Sequence, residues 1–270
     1  MKIASIIGAR PQFIKSCPVS EKVQSSNQIS EIIIHTGQHY DKNMSNIFFD
    51  EMEIPIPKYN LNINQIEYNL MIDKMIRAIS PILIEERIQG VLVYGDTNST
   101  LSASIAAKNL KIPLFHVESG LRSYDRSMHE ENNRIITDHL STLLFCPSKN
   151  AVDNLYKEKI NEGVLLSGDI MYDAFLKFSD KNNNTDGKTP FSDYVLATIH
   201  RRENIFSSKK LTIIIEHLDR ISETCNVIMP LHPHTKKMLE EYNIKPKINL
   251  IDPQGYLSML SLLKNCKLVI

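Results

Sequence analysis

The stretch HVESGLRSYDRSMHEENNR, residues 116–134, sets Glu118, Asp125, Glu130 and Glu131 beside Arg122, Arg126, Arg134, His116 and His129. It follows the apolar run KIPLFHV and precedes the helical pattern EENNRIITDHL. Carboxylates at a strand's carboxyl end can move protons or stabilise developing positive charge, and arginines beside them can hold an anion. A solvated charged loop is the plain alternative. Glu130 and Glu131 in a first helical turn also complement the helix dipole, and adjacent residues cannot share one helix face.

Other strand ends carry similar chemistry. In IIGARPQFIK, residues 6–15, a strand opens through Gly8 into a helix begun near Pro11, with Arg10 and Lys15 close by. A helix N-terminus with two cations suits a diphosphate, although the spacing is neither a dinucleotide fingerprint nor a Walker loop. The alternative is a capped helix with surface cations. In VLVYGDTNST, Asp96 ends a strand and either faces the same crevice as Arg10 and Glu118 or serves as a turn residue before good N-caps. Further on, TIHRREN and PLHPHT place His200, Arg201, His232 and His234 just past two strands. No metal-binding spacing links these histidines, so no metal is expected. They read better as part of a diphosphate clamp, with His200 available for proton transfer near neutral pH.

Apolar runs of strand length alternate with amphipathic, helix-length segments almost from end to end, the pattern of a parallel sheet with crossover helices. Strands are expected at Ile3–Ile7, Glu31–His35, Val91–Tyr94, Leu114–Val117, Leu143–Cys146 and Gly163–Leu166. A polar, Asn-rich stretch, DKNNNTDGKTP, then separates this domain from a second alternation running from YVLATI to KLVI. The expected class is α/β with two Rossmann-like doubly wound domains, residues 1–179 and 180–270, the second incomplete at its C-terminus. With 31 Lys and Arg against 31 Asp and Glu, the chain offers no field for nucleic acid. Its four scattered cysteines fit a reducing, cytoplasmic setting without zinc or disulfides. The apolar run before Gly8 is too short for a signal segment or a membrane span.

Taken in order, GARPQFIK, HTGQHYDKNMSNIFF, YGDTNST, HVESGLRS, HEENNRIITDH, LLFCPS, HRREN, PLHPHT and DPQGYLSML resemble the non-hydrolysing UDP-N-acetylglucosamine 2-epimerases across almost the whole chain. Several of these pieces look especially like the branch acting on UDP-2,3-diacetamido-glucuronate. The resemblance implies a GT-B-like pair of Rossmann domains with a UDP-sugar in the cleft between them, a homodimer, and no cofactor. It implies anti elimination of UDP to a 2-acetamidoglucal, then re-addition with inversion at C2. By motif position it makes Asp96, Glu118 and Glu130 the carboxylates, with His200 assisting the leaving group, and gives substrate binding to Arg10, Lys15, Arg134 and Arg201. Gln38, His39 and His232 fall at a regulatory UDP-sugar site. Asp125, Arg126 and Glu131 are left to support loop and helix.

The sequence departs from the family pattern in places. His129 replaces the usual proline before the paired acids, Ser119 stands in the usual Glu-Ala-Gly, and NINQIEYNLMIDKM replaces a Gly/His/Gln-bearing segment. The Ser-Gly-Gly loop that binds diphosphate in the family would follow residue 270, so a C-terminal truncation is expected. Two other readings stand beside the epimerase: an inactive nucleotide-sugar-binding remnant, and a GT-B glycosyltransferase.

Overall fold

The computed structural model describes residues 1–38, 52, 54–64, 67–181 and 191–270; His39 and the Asn-rich stretch at 182–190 lie outside the described residues. The chain divides into two compact units, Met1–Lys177 and Phe178–Ile270.

In the first unit the apolar runs form β1 (Lys2–Ile7), β2 (Ser30–His35), β4 (Gly90–Tyr94), β5 (Leu114–Val117), β6 (Leu143–Cys146) and β7 (Val164–Leu166). A two-residue strand, β3 (Tyr59–Asn60), has no apolar run to signal it. The strands make one parallel sheet in the order β3-β2-β1-β4-β5-β6-β7. The described helices are α1 (Arg10–Gln24), α2 (Tyr68–Glu85), α3 (Asn98–Asn109), α4 (His129–Leu140), α5 (Lys149–Lys157) and α6 (Ile170–Lys181), the last of which runs across the division of the chain after Lys177. Every residue of β4 is buried, as a central parallel strand covered on both faces requires. Ala103, Ala106 and Ala107 bring α3 close to the sheet, while Met71, Met75, Ile79 and Leu83 present one face of α2 at helical spacing to the same core.

That topology fixes where chemistry can sit. From β1 the chain runs to β2 and β3 on one side of the sheet and later returns to β4 on the other. The loops leaving the carboxyl ends of β1 and β4 therefore diverge and open a crevice. Arg10 follows β1, Asp96 follows β4 and Glu118 follows β5.

The second unit holds β8 (Tyr194–Leu196), β9 (Asn226–Pro230), β10 (Asn249–Ile251) and β11 (Leu268–Val269), a parallel sheet ordered β10-β9-β8-β11. Its helices are α7 (Arg202–Ile205), α8 (Ser208–Ser222), α9 (Pro233–Glu241) and α10 (Tyr256–Asn265). Leu211, Ile215 and Leu218 of α8 pack with Val227 and Met229 of β9 in this unit's own core. No described helix is long and apolar enough to cross a membrane.

At the opposite end of the first sheet, Glu86 ties three segments together. It accepts from Lys2 Nζ at 2.6 Å, from Lys58 Nζ at 2.5 Å and from the Tyr59 hydroxyl. These hydrogen bonds hold the Glu86 carboxyl at about 2, down from an ordinary 4.5, and push the Tyr59 phenol up to about 12. A depressed carboxyl stabilises the fold above its unfolded value, and that contribution is lost as pH falls through the folded one. Urea midpoints of the wild type should therefore drop between pH 4.5 and about 2. Glu86→Gln should be less stable at pH 7 and show a shallower decline across that window; parallel curves would disprove the linkage. In the core, Leu83→Ala should cost about 3 kcal/mol, whereas Ile84→Ala, at a 62% exposed position, should stay within about 0.5 kcal/mol in the same urea titration.

Candidate active site

Two ion pairs occupy the crevice at the sheet's reversal. Lys15, in the second turn of α1, pairs with Glu118, and Arg134, in the second turn of α4, pairs with Asp96. The Lys15 side chain is only 9% exposed, so its approach to a carboxylate offsets the cost of burying an ammonium. Gly95 makes room for it: its φ is +63°, and a Cβ placed there would lie 3.2 Å from Lys15 Nζ. Glu118 itself holds φ +70°, a left-handed conformation that costs a non-glycine residue about 1–3 kcal/mol and that surrounding contacts must enforce.

Gln12 knits this end of the sheet together from a wholly buried position. Its Oε1 accepts from the Gly8 and Ala9 amides at 2.8 and 3.1 Å, and its Nε2 donates to the Tyr94 carbonyl and Thr100 Oγ1 at 2.9 and 3.0 Å. Two of the amides expected to face an anion at this helix start are thus engaged by Gln12. A glutamine three residues into a helix is the sequence signal for that cap. Asp96 is not the cap of α3. Thr97 takes that role, its hydroxyl accepting from the Thr100 amide.

Behind the crevice stands a buried polar cluster. His116, on β5, bonds the Asp138 carboxylate through Nδ1 at 2.7 Å and the Gly95 carbonyl through Nε2 at 2.8 Å. Asp138 Oδ2 also accepts from the Gly120 amide at 3.1 Å and from Arg122 at 2.7 Å. Arg122 closes the cluster with a two-pronged pair to Glu158, both bonds 2.7 Å. Burial pushes the Asp138 carboxyl up, but the charges and hydrogen bonds of His116 and Arg122 outweigh it and leave it below the ordinary carboxylate range. Gly120 cannot be replaced cheaply: its φ is +78°, and a Cβ would sit 2.3 Å from the Ala151 carbonyl oxygen.

The paired acids of α4 go different ways. Glu131 is buried and accepts from the Ser123 amide and hydroxyl, the Tyr124 amide and Arg134. Burial raises its carboxyl, and these donors bring it below the ordinary value. Glu130 is exposed. Next to it, His129 stacks on Tyr68 with ring centroids 4.0 Å apart. The Tyr68 hydroxyl donates to Asn133 at 2.6 Å, and Asn133 donates to the Asp96 carbonyl at 2.9 Å. Burial and then the Glu130 charge push the Tyr68 phenol up. Gln38 accepts from the Ser99 amide and hydroxyl at 3.0 and 2.8 Å, at the start of α3. Asp125 accepts from the Ser127 amide and hydroxyl within its own loop.

In the second unit, His200 and Arg201 are exposed past the end of β8, with Arg201 3.9 Å from Glu203. His232 is the N-cap of α9, and its ring lies 6.5 Å from that of His200 and 5.5 Å from that of His234. Thr235 fastens α9 to the same place, donating to the Ile199 carbonyl at 2.6 Å.

Comparison with known proteins places this architecture. The UDP-N-acetylglucosamine 2-epimerase family model matches residues 21–270. A UDP-2,3-diacetamido-2,3-dideoxy-D-glucuronate 2-epimerase of Pseudomonas aeruginosa is 43% identical over 100% of this chain and 77% of its own length. The UDP-N-acetylglucosamine 2-epimerase of Methanocaldococcus jannaschii is 41% identical, over 100% and 78% respectively. The crystal structure of that enzyme in complex with UDP-GlcNAc and UDP matches with TM-score 0.91 at 40% identity, covering 100% of this chain and 78% of that one. The Neisseria meningitidis enzyme bound to UDP-GlcNAc matches with TM-score 0.90 at 30% identity, covering 100% and 77%. MurG of Acinetobacter baumannii, at 10% identity and TM-score 0.51, shares the fold alone. The parallel sheets, the ordered motifs and the extent of these matches lead to one conclusion: the chain belongs to the UDP-N-acetylglucosamine 2-epimerase family.

Proposed function

We propose that this chain interconverts UDP-N-acetylglucosamine and UDP-N-acetylmannosamine, supplying an activated sugar for surface polysaccharide. The observation that carries the reading is the pairing of Glu118 with Lys15 and of Asp96 with Arg134 at the reversal of the first sheet. Loss of UDP breaks the C1–O bond, whose electron pair leaves with the β-phosphate, while a base takes the C2 proton and C1=C2 forms. Positive charge developing at C1 is stabilised by carboxylates and negative charge on the diphosphate by cations, so a site that already holds both in matched pairs meets both demands. Re-addition runs the steps backward, with a proton delivered to the other face of C2 and a UDP oxygen bonding C1. Asp96, Glu118 and Glu130 supply the carboxylates; Arg10, Lys15, Arg134 and Arg201 hold substrate; His200 assists the departing phosphate. Gln38 and His232 belong to a regulatory UDP-sugar site in this reading.

The 43% identity to the Pseudomonas aeruginosa enzyme supports a second substrate, UDP-2,3-diacetamido-2,3-dideoxy-D-glucuronate, handled by the same elimination and re-addition. Incubating the purified chain in D2O with each UDP-sugar and following deuterium at C2 separates the two. Exchange with UDP-N-acetylglucosamine is expected; exchange with the diacetamido-glucuronate alone would transfer the assignment to it, and no exchange with either would end the epimerase reading for this chain. Glu118→Gln should slow exchange on the order of 10²-fold or more while UDP affinity, read by calorimetry, stays within about threefold. Unchanged turnover would remove Glu118 from the chemistry.

A further inference from the structure

Asp138 is a fully buried carboxylate to which the proposed chemistry assigns no task. Its two oxygens divide their partners: Oδ1 faces His116, and Oδ2 faces the Gly120 amide and Arg122. Each direction ends next to one of the crevice acids. His116 passes the constraint to the Gly95 carbonyl, which belongs to the peptide unit entering Asp96. The Gly120 amide lies two residues past Glu118, whose φ of +70° needs external enforcement. A buried carboxylate left without its partners is costly, so this arrangement resists rotation of either turn.

We propose that Asp138, acting through His116 and the Gly120 amide, is a positioning residue that sets the directions of Asp96 and Glu118. The role rests on the reading of those two acids given above. Asp138 itself lies behind the turns. Arg122 anchors it from one side, and Glu158 holds Arg122 in turn.

Replacing Asp138 by Ala removes both oxygens, so His116 and the Gly120 amide lose their shared partner together. In the full chain, Asp138→Ala should lower kcat for C2 exchange on the order of 10²-fold, with KM and the calorimetric Kd for UDP within about threefold of wild type. The Gly120 amide should exchange hydrogen about tenfold faster or more, while amides of strands β1 and β2 keep their protection. A variant that turns over at the wild-type rate, or one whose loss appears wholly in KM and UDP binding, overturns the proposal. Should Asp138→Ala not fold, His116→Gln carries the same test, with kcat again falling at nearly constant KM; an unchanged kcat in that variant counts equally against it. Failure of the functional reading looks different: wild type and Glu118→Gln would then behave alike. In that event the Gly120 amide decides, and unaltered protection in the variant overturns the positioning role by itself.

Discussion

The reversal of strand order between β1 and β4 is the constraint on which the rest of this structure depends. Because β1 is hydrogen-bonded on both edges, the loops leaving β1 and β4 must part to opposite sides of the sheet, and only there does a crevice open at the strand ends. Arg10, Lys15 and Asp96 flank that opening, and β5 adds Glu118 from the next position outward. The small buried side chains of α3 and the apolar face of α2 keep the sheet rigid beneath it.

Electrostatics complete what topology begins. An ammonium as enclosed as Lys15 is stable only beside a carboxylate, and Arg134 spans two of them, Asp96 and Glu131. The crevice therefore holds cations and anions already oriented. Matched charges cost little to keep, and they suit a reaction that separates charge as one bond breaks. A second layer, His116 with Asp138 and Arg122 with Glu158, converts that requirement into fixed backbone geometry at Gly95 and Gly120.

Much of the fold was legible from local pattern. Leu114–Val117 and Leu143–Cys146 are strands with the expected bounds, and four other strands of the first sheet differ from their expected bounds by at most one residue at an end. Parallel strands buried on both faces leave unbroken apolar runs that turn residues punctuate. β3 escaped because two residues at a sheet edge carry no periodicity. The face of α4 was also hidden: Glu131, Asn133, Thr137 and Asp138 point inward, while Ile136 is 42% exposed. A helix that buries its polar side inverts the pattern from which burial is read.

For the site, the sequence by itself determined which residue types stand at the carboxyl ends of strands, because strand and helix periods are local properties of the chain. It also separated Glu130 from Glu131, since adjacent residues on a helix diverge by about 100°. Only the tertiary structure decided who pairs with whom. Lys15 and Glu118 are far apart in the chain, as are His116 and Asp138, yet each pair is in contact. Such pairings follow from strand order, which no local period encodes, and from the need of every buried charge for a partner, which is met only once the sheet has closed around it.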